Sequence, residues 1–198
     1  NTRIGLKTTP WTGGDVFTVV TQSQVDDTAR TLANMGLRQR WKINPEWSAD
    51  AGLERGKTLS GQDAAPLNAN IPFASGTGAS GDFTAASVGT TWQPAKWLWN
   101  MRLEYRDSAT DNRWNMLSSF QTELGSDLGL LAGLQVLDTR SVTGLHTLSS
   151  NLRLGAAWRP THSQWIILDR LDFIRDIKTG SPQGTGSIRI INNMNANY

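Results

Sequence analysis

The chain has 198 residues and a formal net charge of +2, a charge too small to predict a nucleic-acid partner. It has no cysteine, which excludes disulfide bonds and thiolate metal sites. No run of apolar residues approaches the ~18 that a membrane-spanning helix needs, but this criterion does not detect spanning strands of alternating polarity.

Short segments of alternating polarity recur along the whole chain and predict an all-β protein. Eleven strands are expected, at 4–9, 16–25, 30–43, 47–57, 83–92, 96–106, 114–124, 128–137, 148–158, 165–176 and 187–198. A helix would scatter these apolar residues around its circumference, whereas a strand gathers them on one face.

The third and sixth segments alternate most strictly. In 30–43 the apolar set is Met35, Leu37, Trp41 and Ile43, and the polar set is Arg30, Asn34, Arg38, Arg40 and Lys42. In 96–106 the apolar set is Trp97, Trp99, Met101, Leu103 and Tyr105, and the polar set is Lys96, Asn100, Arg102, Glu104 and Arg106, with Leu98 as the exception. Each strand is therefore predicted to have one apolar and one charged face.

Two proline turns predict hairpins with definite registers. If the turn at 44–46 places Ile43 opposite Trp47, Arg40 faces Asp50 and Arg38 lies diagonal to Glu54. If the turn at 93–95 places Trp92 opposite Trp97, the apolar pairs that follow are Thr90 with Trp99, Val88 with Met101, and Ala86 with Leu103.

The connections between predicted strands alternate in length. The short ones are 10–14, 44–46, 93–95, 125–127 and 159–164; the longer, polar ones are 58–82, 107–113, 138–144 and 179–186, with 26–28 as the weak member of this second group. Bacterial outer-membrane barrels sort their connections in this way, with short turns periplasmic and long loops extracellular. The segment 58–82 is accordingly predicted to be a long extracellular loop.

Tryptophan is unusually abundant, with nine in the chain. Seven lie in or near the short-turn ends of predicted strands, namely Trp11, Trp41, Trp47, Trp92, Trp97, Trp158 and Trp165, which leaves Trp99 and Trp114 elsewhere. Indoles gathered at one strand end favour an aromatic girdle at a membrane interface. Simple packing against proline turns and exposed platforms for sugar are the alternatives.

These observations favour an up-and-down antiparallel barrel that spans an outer membrane, here a fragment of about eleven strands of a larger barrel, because a single-chain bacterial barrel has an even number of strands. Lipid-facing positions are predicted at Met35, Leu37, Trp99, Met101, Leu103, Tyr105 and Phe120. Lumen-facing polar positions are predicted at Arg38, Arg40, Asp50, Glu54, Arg102, Glu104 and Arg153. Because their charges are mixed in sign, they predict no clear ion selectivity.

No constellation of catalytic residues is evident. The alternation slips around Asp169 and Arg170, which predicts a bulge with salt bridges facing the lumen rather than an acid–base pair. His146 and His162 lie without acidic or histidine neighbours at ligand spacing, and the sequence neighbours of His146 do not have triad geometry. The sequence therefore predicts no enzyme activity, no metal and no cofactor.

Four stretches carry a family resemblance: NPEWSADAGLERGKTL, IPFASGTGASGDFTAASVG, WIILDRLDFIRD and RIINNMNANY. From about Leu37 onward they resemble the C-terminal barrel region of very large proteobacterial outer-membrane proteins with OmpA-like or repeated extracellular-type domains upstream. The resemblance implies that residues 1–198 are part of a single barrel domain cut at both ends. It also implies an anchor or conduit for a larger surface protein, with no catalytic residues.

The expected partners are outer-membrane lipid and either other domains of the same polypeptide or a surface or periplasmic protein. Two alternatives remain open from the residues themselves. One is a general diffusion porin, which would have an open lumen. The other is a soluble β-sandwich that binds carbohydrate through exposed tryptophan, because a soluble sheet also has one apolar and one polar face.

Overall fold

The computed structural model describes residues 2–25, 28–60, 82–180 and 184–198. They form eleven strands: β1 (Thr2–Trp11), β2 (Gly14–Val25), β3 (Thr28–Lys42), β4 (Trp47–Ser60), β5 (Phe83–Trp92), β6 (Trp97–Ser108), β7 (Asp111–Leu124), β8 (Leu128–Ser141), β9 (His146–Trp158), β10 (Ile166–Thr179) and β11 (Thr185–Asn197). All eleven predicted strands are confirmed. No helix among the described residues is long and apolar enough to cross a membrane.

The strands form one antiparallel sheet in which each strand pairs with the next in the chain. Within the described residues, β1 and β11 pair on one side only, so the sheet is open. A two-layer sandwich would need a second sheet packed on the first. The sandwich alternative is therefore wrong for the part of the chain that the structure describes.

The predicted alternation of connection lengths is wrong except at one connection. The strands run further than expected at the supposed loop end, so that only 109–110 separate β6 from β7 and only 142–145 separate β8 from β9. Backbone pairing continues through polar residues, as where Asp107 lies opposite Asn112, because ladder hydrogen bonds do not require apolar side chains. Between β4 and β5 the connection remains long, but it begins after Ser60, and residues 61–81 lie outside the described residues.

The first hairpin register is confirmed and the second is wrong by two residues. Arg40 lies opposite Asp50, and the amide of Ile43 donates to the carbonyl of Trp47 over 2.9 Å. Trp92, however, lies opposite Trp99 rather than Trp97. The amide of Gln93 donates instead to the carbonyl of Glu46 in the neighbouring turn, over 2.8 Å. Because the Gln93 amide bonds to Glu46, the first facing pair of the β5–β6 hairpin is Trp92 with Trp99.

Strand β10 contains no bulge. Its register with β9 runs without a shift from Ile167 to Thr179, and its register with β11 runs likewise from Ile166 to Lys178. The break in alternation is accommodated by side-chain placement, since Asp169 and Arg175 lie on the same face as Leu171 and Phe173. A bulge would have left hydrogen bonds unmade on both sides of a strand that has two partners.

Register divides the side chains between two faces. The apolar face carries Leu37, Leu53, Ala86, Tyr105 and Trp114, which follow one another directly across β3 to β7. The polar face carries Arg40, Asp50, Gly89, Arg102 and Leu117 across the same strands. Burial is deepest on the polar face, where Asn115 is 2% exposed and Asp172 is 3% exposed. This pattern indicates that the sheet curls toward its polar face, because side chains crowd together on the inside of a curve.

Candidate functional site

The predicted girdle tryptophans gather at one end of the sheet. We call it the turn end, and it holds the connections 12–13, 43–46, 93–96, 125–127 and 159–165. Four of the predicted girdle residues lie at or next to the last residue of a strand there: Trp11, Trp41, Trp92 and Trp158. Two more begin strands there, Trp47 and Trp97, and Trp165 precedes β10. Their assignment to a membrane interface stays a prediction.

Aromatic contacts join these tryptophans into clusters on the apolar face. The Trp47 ring centroid lies 5.8 Å from that of Trp92 and 6.3 Å from that of Trp99. Trp97 lies 5.2 Å from Phe120 by the same measure. Trp99 therefore belongs to the turn-end cluster, which the sequence did not predict because the Trp92–Trp97 register was wrong. Tilted and edge-on geometries at these separations are favourable for aromatic pairs.

A further aromatic pair lies at the opposite end of the sheet, which we call the loop end. Tyr105 near the end of β6 and Trp114 near the start of β7 lie directly opposite each other, with ring centroids 4.7 Å apart. Sequence reasoning missed this pair because Trp114 was assigned to no girdle. A signal was available, since both aromatics flank the 107–113 connection. Aromatic residues thus mark both ends of the apolar face.

The predicted lipid-facing residues all lie on the apolar face, and the predicted lumen-facing residues all lie on the polar face. The first group is Met35, Leu37, Trp99, Met101, Leu103, Tyr105 and Phe120, and the second is Arg38, Arg40, Asp50, Glu54, Arg102, Glu104 and Arg153. The mixed charges of the second group interact with one another.

Arg102 is the centre of an ion-pair network on the polar face. Its guanidinium donates from Nε to Glu104 over 2.6 Å, from Nη1 to Asp50 over 3.2 Å and from Nη2 to Ser87 over 2.9 Å. Asn115 donates to the second oxygen of Glu104 over 3.4 Å. Glu104 is only 6% exposed, so its charge is compensated almost entirely by these protein groups.

Glycine at position 89 makes this network possible. Gly89 on β5 lies directly between Asp50 on β4 and Arg102 on β6. A Cβ at this position would lie 2.6 Å from Oδ1 of Asp50. Arg40 lies opposite Asp50, as the predicted register requires, but the salt bridge that Asp50 forms is with Arg102, across an intervening strand.

A second network occupies the polar face of β9 to β11. Asp172 accepts from Nε of Arg153 over 2.7 Å, and its other oxygen lies 3.0 Å from Nε of Arg170. Asp176 accepts from the Ser149 hydroxyl over 2.6 Å and from Arg189 over 2.9 Å. The predicted lumen-facing salt bridges of this segment are therefore formed within the polar face, without the bulge.

The expectation that His146 has no acidic neighbour is wrong. Its Nε2 lies 2.9 Å from Oδ2 of Asp138, whose other oxygen accepts from Arg140 over 3.2 Å. The three groups lie on the apolar face at the loop end, where pairing places Arg140 opposite His146. His162 lies apart, in the 159–165 connection. The described residues contain no group of three or more His, Cys, Asp or Glu that could hold a metal ion.

Comparison with known proteins identifies similar structures but no family. No family model matches the chain, and no curated protein matches its sequence. OmpT, an outer membrane protein of Vibrio cholerae, has a similar structure, with a TM-score of 0.55 and 12% sequence identity over 98% of this chain and 61% of that chain. A loop L8 deletion mutant of OmpT matches with a TM-score of 0.53 and 11% identity over 98% of this chain and 62% of that chain.

The chain thus spans less than two thirds of the length of either match. At such identities the likeness shows the fold alone. The fold is an antiparallel up-and-down sheet of eleven strands, similar to that of an outer-membrane protein.

Proposed function

We propose that the chain forms part of the wall of a β-barrel in a Gram-negative outer membrane. Its apolar face contacts lipid, its polar face lines the lumen, its turn end is periplasmic and its loop end is extracellular. The observation that carries this proposal is the placement of aromatic clusters at both ends of a face that is otherwise mostly aliphatic, since membrane barrels place aromatic girdles at both interfaces. The likeness to OmpT supports the same location.

The role proposed for this barrel is to anchor, or act as a conduit for, a larger surface-exposed protein. The family resemblance carries this part of the proposal, and the networks around Arg102 and Asp172 are compatible with it because they stiffen the polar face by cross-strand bonds. The partners are outer-membrane lipid and either further domains of the same polypeptide or a surface or periplasmic protein. No catalytic residue, metal or cofactor is part of the proposal.

A diffusion pore is the second candidate, and solvated charges on the polar face favour it. Arg153, Arg170 and Arg189 remain about half exposed although each contacts a carboxylate. Such side chains suit a water-filled lumen, in which charged groups line the path of a solute.

Membrane insertion tests whether the chain forms a membrane barrel, and conductance tests whether that barrel is a pore or a plugged anchor. The protein is reconstituted into vesicles whose lipids carry bromine on the acyl chains, and quenching of tryptophan fluorescence is measured. We expect quenching of the apolar-face tryptophans, whereas recovery of the native protein from cells as a monodisperse monomer in buffer without detergent would contradict the barrel. In planar bilayers, large and steady single-channel conductance favours the pore, and its absence favours a plugged anchor.

A further inference from the structure

Two adjacent cations interrupt the apolar face of β4 near the loop end. Arg55 lies opposite Met35 on β3 and Thr84 on β5, and Lys57 lies opposite Ala33. Both side chains are exposed, and they lie two residues apart on the same face. They are therefore side by side on the surface that the proposed function assigns to lipid.

Neither Arg55 nor Lys57 has a salt-bridge partner among the described residues. Arg140, at the same end of the sheet, differs in that it pairs with Asp138 over 3.2 Å. The carboxylate of Asp82, just before β5, accepts a hydrogen bond from the backbone amide of Thr58 over 2.7 Å. Two adjacent cations without a salt-bridge partner among the described residues, on a mostly apolar face, indicate an anionic partner.

The distance from the aromatic clusters places these cations near the far boundary of the apolar band. From Trp47, Arg55 is eight residues and Lys57 is ten residues along β4. At ~3.3 Å per residue and a strand tilt of ~40°, this corresponds to roughly 20 to 25 Å along the membrane normal. The apolar band of a membrane barrel is about 25 Å tall, so Lys57 falls at its far boundary and Arg55 about 5 Å inside it, from where the long Arg55 side chain can extend to the headgroups.

The residues below the cations suit an acyl chain. Leu53, two residues nearer the turn end than Arg55 on the same face, is 60% exposed, and Leu37, directly opposite Leu53, is 37% exposed. An amphipathic ligand lying along β4 would place its hydrocarbon on these two side chains and its anionic group against Arg55 and Lys57. Guanidinium and ammonium groups together bind a phosphate through charge-assisted hydrogen bonds.

We propose that Arg55 and Lys57 form a binding site for the phosphate of a lipid headgroup in the extracellular leaflet. The inference rests on the proposed orientation of the barrel and adds to it a class of ligand. A second strand has a comparable charge: Arg175 lies ten residues from Trp165, on the apolar face of β10, and is exposed without a described partner. The phosphate site is assigned to β4 alone, because among the described residues of the apolar face only Arg55 and Lys57 are adjacent cations without a salt bridge.

Lipid selection by the reconstituted protein tests the site. The protein is inserted into phosphatidylcholine vesicles that contain a minor fraction of dioleoyl phosphatidic acid, and bound lipid is measured by native mass spectrometry after gentle solubilisation. We expect wild-type protein to retain phosphatidic acid in preference to phosphatidylcholine. The double variant Arg55→Gln/Lys57→Gln should bind phosphatidic acid about tenfold more weakly or worse, because each cation near the membrane surface adds to the attraction of an anionic headgroup.

The matched control is Arg40→Gln/Lys42→Gln, which removes two cations at the same spacing from the polar face of β3. Its retention of phosphatidic acid should equal that of wild type. Equal retention by the β4 double variant and wild type, or displacement of the lipid by inorganic phosphate alone, would overturn the site. Bromolipid quenching in the same samples separates the two proposals: insertion without lipid selection refutes only this site, and failure of insertion refutes the barrel and the site together.

Discussion

Strands β6 and β10 each pair with two neighbours, but their apolar faces differ. On β6 that face reads Trp97, Trp99, Met101, Leu103 and Tyr105 without a charge, and Asp107 follows only at the loop end. On β10 it reads Ile167, Asp169, Leu171, Phe173, Arg175 and Ile177, with two charges. Strict alternation thus gives β6 a run of five uncharged positions on this face, which β10 lacks. The difference shows that the register of β10 is set by its two neighbours, which hold it in place although its own pattern would favour a slip.

The polar faces of the two strands are built around ions of opposite sign. On β6 a cation, Arg102, collects Asp50 and Glu104 as partners. On β10 an anion, Asp172, collects Arg153 and Arg170. Glu104, a partner of Arg102, is nearly buried. Arg153 and Arg170, the partners of Asp172, both extend into solvent. Breaking the two networks should therefore have unequal effects.

The largest effect is expected from a charge placed on the apolar face of β6. If that face contacts lipid, Leu103→Arg should lower the free energy of unfolding by about 2 to 4 kcal/mol, the cost of Arg near the bilayer midplane of a barrel. Asn100→Arg, on the polar face of the same strand, is the control and should be tolerated. Urea titration in lipid vesicles measures both. Equal effects at the two positions would remove the assignment of the faces.

Removing the central contacts of the two polar networks should have the next largest effect. Arg102→Met leaves Glu104 almost buried without its cation and should cost about 2 kcal/mol, less than for a fully buried pair because Arg102 is partly solvated. Arg153→Met leaves Asp172 with Arg170 and should cost under about 1 kcal/mol. The same titration compares the two variants. A larger cost for Arg153→Met would contradict the unequal roles assigned to these networks.

Removing a charge from the apolar face of β10 should stabilise the protein. Asp169→Leu should raise the free energy of unfolding by about 1 kcal/mol if the face contacts lipid, because acidic residues there cost less than basic ones but still destabilise. Asp169→Asn is the control, since it removes the charge and retains a group that can pair with Asn192, which donates to Asp169 over 2.8 Å. Loss of stability in the leucine variant would mean that protein, rather than lipid, covers this part of β10.

The smallest effect concerns a contact between the turn before β8 and the turn before β10. Hydrogen bonds from the hydroxyls of Ser126 and Thr161, over 2.6 and 2.7 Å, hold the pKa of Asp127 below its ordinary value. A carboxyl whose pKa is lower in the folded state stabilises the protein above its unfolded pKa, and this contribution is lost as the pH falls through the folded pKa.

Thr161→Val should therefore move the pKa of Asp127 back toward its ordinary value. The variant should then lose less stability than wild type when the pH is lowered. An NMR titration of the Asp127 carboxyl carbon in micelles measures the first effect. Unfolding in urea as a function of pH measures the second. An unchanged Asp127 pKa would show that Ser126 alone accounts for the depression.

Local patterns predicted what depends on one strand or one turn. The eleven strands, their two faces and the Arg40–Asp50 register follow from alternation and from a turn that closes without outside help. The Trp92–Trp99 register does not, because the amide of Gln93 is engaged by Glu46 of another hairpin. The Arg102–Asp50 bond spans two strand spacings and depends on the absence of a side chain at Gly89. Such relations involve three strands and have no signature in any single one.

The strand order also determines the order in which the sheet can assemble. Because every partner is the next strand in the chain, most pairings close between residues only a few positions apart, such as Trp92 and Trp99, which are seven positions apart. The exception joins β4 to β5, where the paired residues nearest the connection, Gly56 and Phe83, are 27 positions apart. Loop-closure entropy makes that step roughly 1.2 kcal/mol more costly than the pairing of β5 with β6. We therefore expect two blocks, β1–β4 and β5–β11, to form independently and to pair late, along the ladder in which Trp47 lies opposite Trp92.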